Sequence, residues 1–191
     1  MQADDKQTQQ FLRIAKGDKQ AFSQLLAEFL PVLLAFIRRY IHEPAQAEDI
    51  AQETFLRVWQ RAADWQPGEH TPRSWIYRIA LNLCIDNLRR QKPTSDALHA
   101  LVDSHSAEQH AIAQNQHQHL HAAITQLPER QRTALYLCAF QGLSNKEAAA
   151  IMKIGVDALE SLLARARRTL RQYFADLEEG ERYEPKLSII R

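Results

Sequence analysis

Residues 141–171 read QGLSNKEAAAIMKIGVDALESLLARARRTLR. Ser144 and Glu147 form an S-x-x-E pair, a local helix-start signal in which each residue satisfies a backbone donor of the other. Ala148, Ala149 and Ala150 keep this first helix slim, so a second can cross it closely. Gly155 suits the turn between them because it tolerates backbone angles that other residues resist. In the second helix Leu159, Leu162, Leu163, Ala166 and Leu170 share a core-facing stripe, and Asp157, Ser161, Ala164, Arg165 and Arg168 share the opposite face. A short, polar and basic outer face after such a turn is how a recognition helix enters a major groove. A plain helical hairpin with basic solvent residues is the competing reading, and turn, cap and face together favour the groove-reading one.

Outward from this block the chain reads as helices throughout. Phe11 to Ala15 suggest a short first helix stopped by Gly17. Residues 18–41 follow as a helix pair, bent or broken at Pro31 because proline cannot donate the backbone hydrogen bond. Pro44 opens a helix to about Asp64, and residues 65–70 (WQPGEH) form a loop by their Pro-Gly pair. Thr71 then caps a helix from Pro72 to about Gln91, with proline at its favoured first position. Further on, residues 128–140, 145–152 and 157–177 are expected to be helical. The fold class is therefore all-α: two small helical domains joined by a flexible linker, the second with a helix-turn-helix. The boundaries are 8–92 for the first domain, 93–126 for a His/Gln-rich linker, 127–177 for the second domain and 178–191 for an acidic tail.

The net charge of +1 hides alternating blocks. Residues 43–53 hold four acids and no base, and residues 71–92 hold five bases against Asp86 alone. Residues 93–127 hold no Lys or Arg, residues 129–171 hold eight bases against four acids, and 176–184 are acidic. Such alternation fits several partners of different sign better than one uniform surface. Cys84 and Cys138 lie among apolar residues in no paired motif, so reduced, buried thiols and a cytoplasmic location are expected. Residues 1–10 are polar and do not read as a signal peptide. The apolar run 25–37 is interrupted by Glu28 and Pro31 and reads as core rather than as a bilayer span, so no membrane insertion is expected.

Two helix faces carry chemistry in the first domain. Between Pro72 and Gln91, Ile76, Ile79, Ala80, Leu83, Cys84 and Leu88 share an apolar arc, and Trp75, Arg78, Asn82, Asp86 and Arg89 fill the remainder. An exposed tryptophan beside Arg, Asn and Asp suits unpaired bases: rings stack on them, amides and carboxylates read their edges, and arginines hold phosphates. The alternative is an ordinary amphipathic helix with Trp75 partly in the core. Between residues 45 and 64, Ala51, Phe55, Val58 and Ala62 form the buried stripe. Asp49, Gln52 and Glu53 project together, with Leu56 a turn further, as either a solvated acidic face or a dock for a basic protein.

In order, these blocks resemble the extracytoplasmic-function sigma factors of bacterial RNA polymerase, within the sigma-70 family. AEDIAQETFLRVW (47–59) is similar to their polymerase-binding helix, SWIYRIALNLCIDNLRR (74–90) to their promoter-melting helix, and LPERQRTALYLCAFQGLSNKEAAAIM with ALESLLARARRTLR to their second DNA-binding domain. The resemblance runs over residues 8–175 in the right order and spacing. It implies a promoter-specificity subunit, not an enzyme and without a cofactor, whose partners are core RNA polymerase, promoter DNA and an anti-sigma factor, often membrane-anchored. It implies work in a stress or envelope response. Asp49, Gln52, Glu53 and Leu56 would dock on polymerase. The loop with Gln66 and the face with Trp75, Asn82 and Asp86 would capture flipped −10 bases while Arg78, Arg89 and Arg90 hold the strand. Asp157, Ser161, Ala164, Arg165 and Arg168 would read −35. This chain departs from the family at the start of the last helix, where Glu160 and Leu162 stand in place of basic residues. Asp86 also replaces an amide, and an aspartate can accept from the amino group of cytosine.

Six of the eight histidines fall at 99, 105, 110, 117, 119 and 121. His117 and His121 are one helical turn apart, a spacing compatible with a transition metal, but the ligand set is not that of a structural zinc site and the tract reads as a polar linker. A conventional helix-turn-helix regulator that binds duplex DNA without polymerase is the second functional reading. It leaves the basic aromatic face of 75–89 without a use. No Gly-rich phosphate loop, nucleophile motif or pair of catalytic carboxylates supports an enzyme.

Overall fold

The computed structural model describes residues 2–68, 70–91, 119–120 and 122–178, with the backbone alone for 2–5, 91 and 176–178. The chain divides into two compact units, Met1–Ala97 and Leu98–Arg191. Among the described residues every regular element is helical. The tail 179–191, residues 93–118 of the linker, and His99, His105, His110, His117 and His121 lie outside the described residues.

The first unit contains α1 (Gln2–Ala15), α2 (Lys19–Ile37), α3 (Pro44–Arg61) and α4 (Pro72–Gln91), with a 3₁₀ turn at Ala62–Asp64. Helix α1 is longer than expected: the polar residues before Phe11 continue its helical run, and polarity at a helix start is no stop signal. Gly17 ends it as expected, with φ +85° and the Asp18 N–H bonded back to the Arg13 carbonyl at 3.1 Å. Asp18 caps α2, its Oδ1 accepting from Gln20 N at 2.9 Å and Ala21 N at 3.0 Å.

Helix α2 corrects the expectation of a pair broken at Pro31. It is one helix of 19 residues. Pro31 lies on its exposed side, where water can serve the Ala27 carbonyl that loses its partner. Buried Leu25, Phe29, Leu33, Phe36 and Ile37 hold the helix together on either side. By length and composition α2 could cross a membrane; here its apolar face packs on α1, α3 and α4 as core. Glu43 caps α3, and Thr71 Oγ1 accepts from Ser74 N at 3.2 Å at the start of α4. Ile76, Ala80, Leu83 and Cys84 are buried as the apolar arc requires, joined by Tyr77 and Leu81, which the arc did not include. Burial pushes the Cys84 thiol up to about 12.

The second unit contains α5 (Glu129–Leu135), a π turn at Tyr136–Phe140, α6 (Asn145–Met152) and α7 (Val156–Glu178). Residues 122–125, at the end of the expected linker, are helical, and Ala123 and Ile124 are buried. The capping box is present: Glu147 N donates to Ser144 Oγ at 3.3 Å and Ser144 N donates to Glu147 Oε2 at 2.9 Å. The α6–α7 turn differs in one respect. The left-handed residue is Lys153 (φ 54°, ψ 47°), not Gly155. Its geometry lets Ile154 N reach the Ala149 carbonyl at 3.0 Å and close the end of α6. Leu159, Leu163, Ala166 and Leu170 are buried together with Phe174, while Leu162 is only half-buried at the edge of the stripe.

Candidate functional site

The outward face of α3 carries Asp49, Gln52 and Leu56 exposed and Glu53 half-exposed. Successive helical positions at about 100° place all four within an arc of about 100°. Glu53 Oε1 accepts from Arg57 Nε at 2.6 Å, which orients its carboxylate along the helix. Leu56 is 49% exposed, an unusual place for a leucine beside three polar groups. It is the lip of an open apolar groove of about 590 Å³ between α2 and α3, floored by Phe22, Leu26, Leu30, Phe55 and Trp59 and rimmed by Lys19 and Gln52. Sequence reasoning missed the α2 side of this groove. The signal was the 22-26-30 spacing, a second apolar stripe beside the buried 21-25-29-33 one.

On α4, Asn82, Asp86 and Arg89 are exposed on one face, and Gln66 is exposed in the preceding loop. Arg78 is half-buried, with Nη1 3.3 Å from His70 Nε2. The start of this loop is buried: Trp65 is 6% exposed and its Nε1 donates to the His70 carbonyl at 3.1 Å. The loop is thereby tied to α4 through His70, a residue that sequence reasoning did not single out.

Trp75 corrects the expectation of an exposed ring. It is half-buried, with its ring edge-to-face on Phe11 at 5.5 Å, and Trp65 meets the same phenylalanine at 5.2 Å. The ordinary amphipathic alternative therefore describes this position, and Trp75 anchors the start of α4 to α1. Arg90 is exposed next to Arg89 at the end of α4. Its Nε donates to the Asp86 carbonyl at 3.3 Å, and it borders a small cleft of about 170 Å³ between α3 and α4 beside Asp49 and Glu53.

In the second unit Asp157, Ser161, Ala164, Arg165 and Arg168 are all exposed on α7, opposite its buried stripe. Ser161 Oγ donates to the Asp157 carbonyl at 2.9 Å, leaving its lone pairs outward. Glu160 flanks this face and accepts from Asn145 Nδ2 at 3.1 Å. No cluster of His, Cys, Asp and Glu able to hold a metal occurs among the described residues.

Known proteins resemble this chain in both of its units. Residues 25–94 match the family described as Sigma-70 region 2, and residues 117–170 match the one described as Sigma-70, region 4. The chain is 34% identical over 171 residues to the RNA polymerase sigma-H factor of Pseudomonas aeruginosa, covering 83% of this chain and 88% of that one. It is 31% identical over 171 residues to the ECF RNA polymerase sigma-E factor of Escherichia coli, with 83% and 88% covered. Among solved structures, CnrH in complex with the cytosolic domain of CnrY is similar with a TM-score of 0.69 at 25% identity, over 89% of this chain and 97% of that one.

Proposed function

The chain belongs to the extracytoplasmic-function group of the sigma-70 family, and from that premise we propose how its two units divide the work of a promoter-specificity subunit. It is a sigma factor: it binds core RNA polymerase and directs promoter-specific initiation. Such factors are regulatory rather than catalytic proteins. The first unit, expected at 8–92, binds core polymerase and captures the −10 element; the second, expected at 127–177, reads −35.

The observation that carries this division is the segregation of exposed chemistry onto separate faces. Asp49, Gln52, Glu53 and Leu56 form the polymerase dock, extended by the apolar groove against α2. A basic partner helix with one apolar edge would meet both acids and groove. Gln66, Asn82 and Asp86 meet −10 bases, with Arg78 and Arg89 on the strand backbone. Trp75 acts from behind, holding α4 in place, and Arg90 adds a further cation for the strand backbone. Flipping a base costs a few kcal/mol of stacking, which contacts in the loop must offset. On α7, Arg165 and Arg168 supply phosphate contacts, and Ser161 and Ala164 approach base edges. The solved relative CnrH is held by the cytosolic domain of CnrY; a comparable anti-sigma protein, often membrane-anchored in this family, is the regulator expected here, in a stress or envelope response.

Competition for core polymerase tests the dock. Glu53→Arg and Leu56→Arg should each weaken binding at least tenfold relative to the unaltered chain, because a central interface group is typically worth about 2 kcal/mol. Unchanged competition by both variants would remove α3 from the interface.

A further inference from the structure

The start of α7 holds an arrangement that the assignment of its outer face leaves unused. Glu160 is exposed one turn into the helix, and Asn145, the first residue of α6, donates its side-chain amide to Glu160 Oε1 at 3.1 Å across 15 positions of sequence. Asn145 is itself placed by the capping box at Ser144 and Glu147. A solvent-exposed hydrogen bond between two flexible side chains adds little stability, because it must first overcome their loss of rotamer freedom. What it does provide is direction: one carboxylate oxygen, Oε1, is tethered to Asn145, which restricts where the exposed Glu160 can turn its other oxygen.

Charge makes the position informative. The first five residues of α7 include Asp157 and Glu160 and no cation; the basic residues begin at Arg165. A carboxylate beside a phosphate backbone is repelled, so an oriented one in a DNA-facing turn needs a donor to meet. The major groove offers two amino donors. Adenine presents its N6 amino group next to the N7 acceptor and suits an amide, whereas cytosine presents N4 alone and suits a group that only accepts.

We propose that Glu160 is a specificity-determining residue that accepts a hydrogen bond from a cytosine N4 amino group in the −35 element, with Asn145 as its positioning residue. This rests on the reading of α7 as the −35 helix. With Oε1 engaged by Asn145, a single bond to the base is available, which places the discrimination at the low end of base-edge contacts, about fivefold.

The test uses the full chain with core polymerase on a promoter library randomised at −35, with transcripts sequenced. The unaltered protein should favour cytosine on one strand at one −35 position. Glu160→Gln should abolish that preference or move it to adenine, and leave the other positions as they were. Asn145→Ala should flatten the same position alone, whereas a merely structural role would weaken all positions evenly. Thermal melting of both variants checks that they fold. A −35 preference that survives both substitutions unchanged overturns the inference while leaving the −35 reading of α7 intact. An unaltered protein with no −35 preference at all overturns both.

Discussion

Replacing Phe11 by alanine should loosen the first unit more than any surface change and should do so through its tryptophans. Phe11 is fully buried and its ring meets Trp65 and Trp75 edge-to-face at 5.2 and 5.5 Å. Truncating a buried phenylalanine costs about 3–5 kcal/mol. Two edge-to-face pairs at about 0.5–1.5 kcal/mol each account for 1–3 of that, and the remainder is apolar transfer and cavity. A unit of this size is stable by about 5–15 kcal/mol, so Phe11→Ala should still fold but with a much lower urea midpoint. All three tryptophans, Trp59, Trp65 and Trp75, lie in this unit, so their emission reports its unfolding separately from that of the second unit. Phe11→Leu keeps the apolar volume and should lose about 1–3 kcal/mol, mostly the aromatic pairs. A loss below about 1 kcal/mol for Phe11→Ala, with unchanged emission, would refute the packing of α1 against the loop and α4.

The second unit should lose about 1 kcal/mol on Ser144→Ala, as removal of an N-cap side chain does, read as a lower thermal midpoint by far-UV circular dichroism of the full chain; no change would deny the capping box a role. In the native protein at pH 8, a thiol reagent should leave Cys84 unmodified, since burial holds it as the neutral thiol, and should reach it once urea unfolds the chain. Because the Cys84 pKa is raised above its ordinary value of 9 to about 12, its contribution to stability is fully present below pH 9. That contribution declines as pH rises toward 12, and denaturation at stepped pH should show it shrink; a Cys84→Ala variant with the same alkaline slope would assign the effect elsewhere. Asp86→Asn should change base preference at one −10 position in transcription from −10 variants, and an unchanged preference would remove Asp86 from base reading.

The parts of this molecule that were legible in the sequence are those governed by local rules. The Ser144–Glu147 box, the Thr71-Pro72 start of α4 and the Gly17 stop are each written within four residues, and helical periodicity alone separates the buried and exposed faces of α3 and α7. What escaped was non-local or conditional. Phe11 meets Trp65 and Trp75 across more than fifty residues of chain, so no periodicity announces the contact, and the Trp75 ring was read as exposed. Pro31 should break a helix in isolation, but it faces solvent while buried neighbours hold both sides. Lys153 adopts the left-handed turn that Gly155 was expected to take, because the closing bond from Ile154 to Ala149 fixes which residue must turn. The groove between α2 and α3 needed the second stripe of α2 to be seen as surface, and a helix with two apolar stripes does not reveal which of them is covered.

Run-off transcription with purified core polymerase, with and without this protein, on genomic promoter fragments tests the central claim most directly. The account predicts discrete transcripts that appear only with the protein and are lost with Asn82→Ala or Glu53→Arg. Absence of any such transcript, together with sequence-specific binding of duplex DNA by the chain alone, would contradict it.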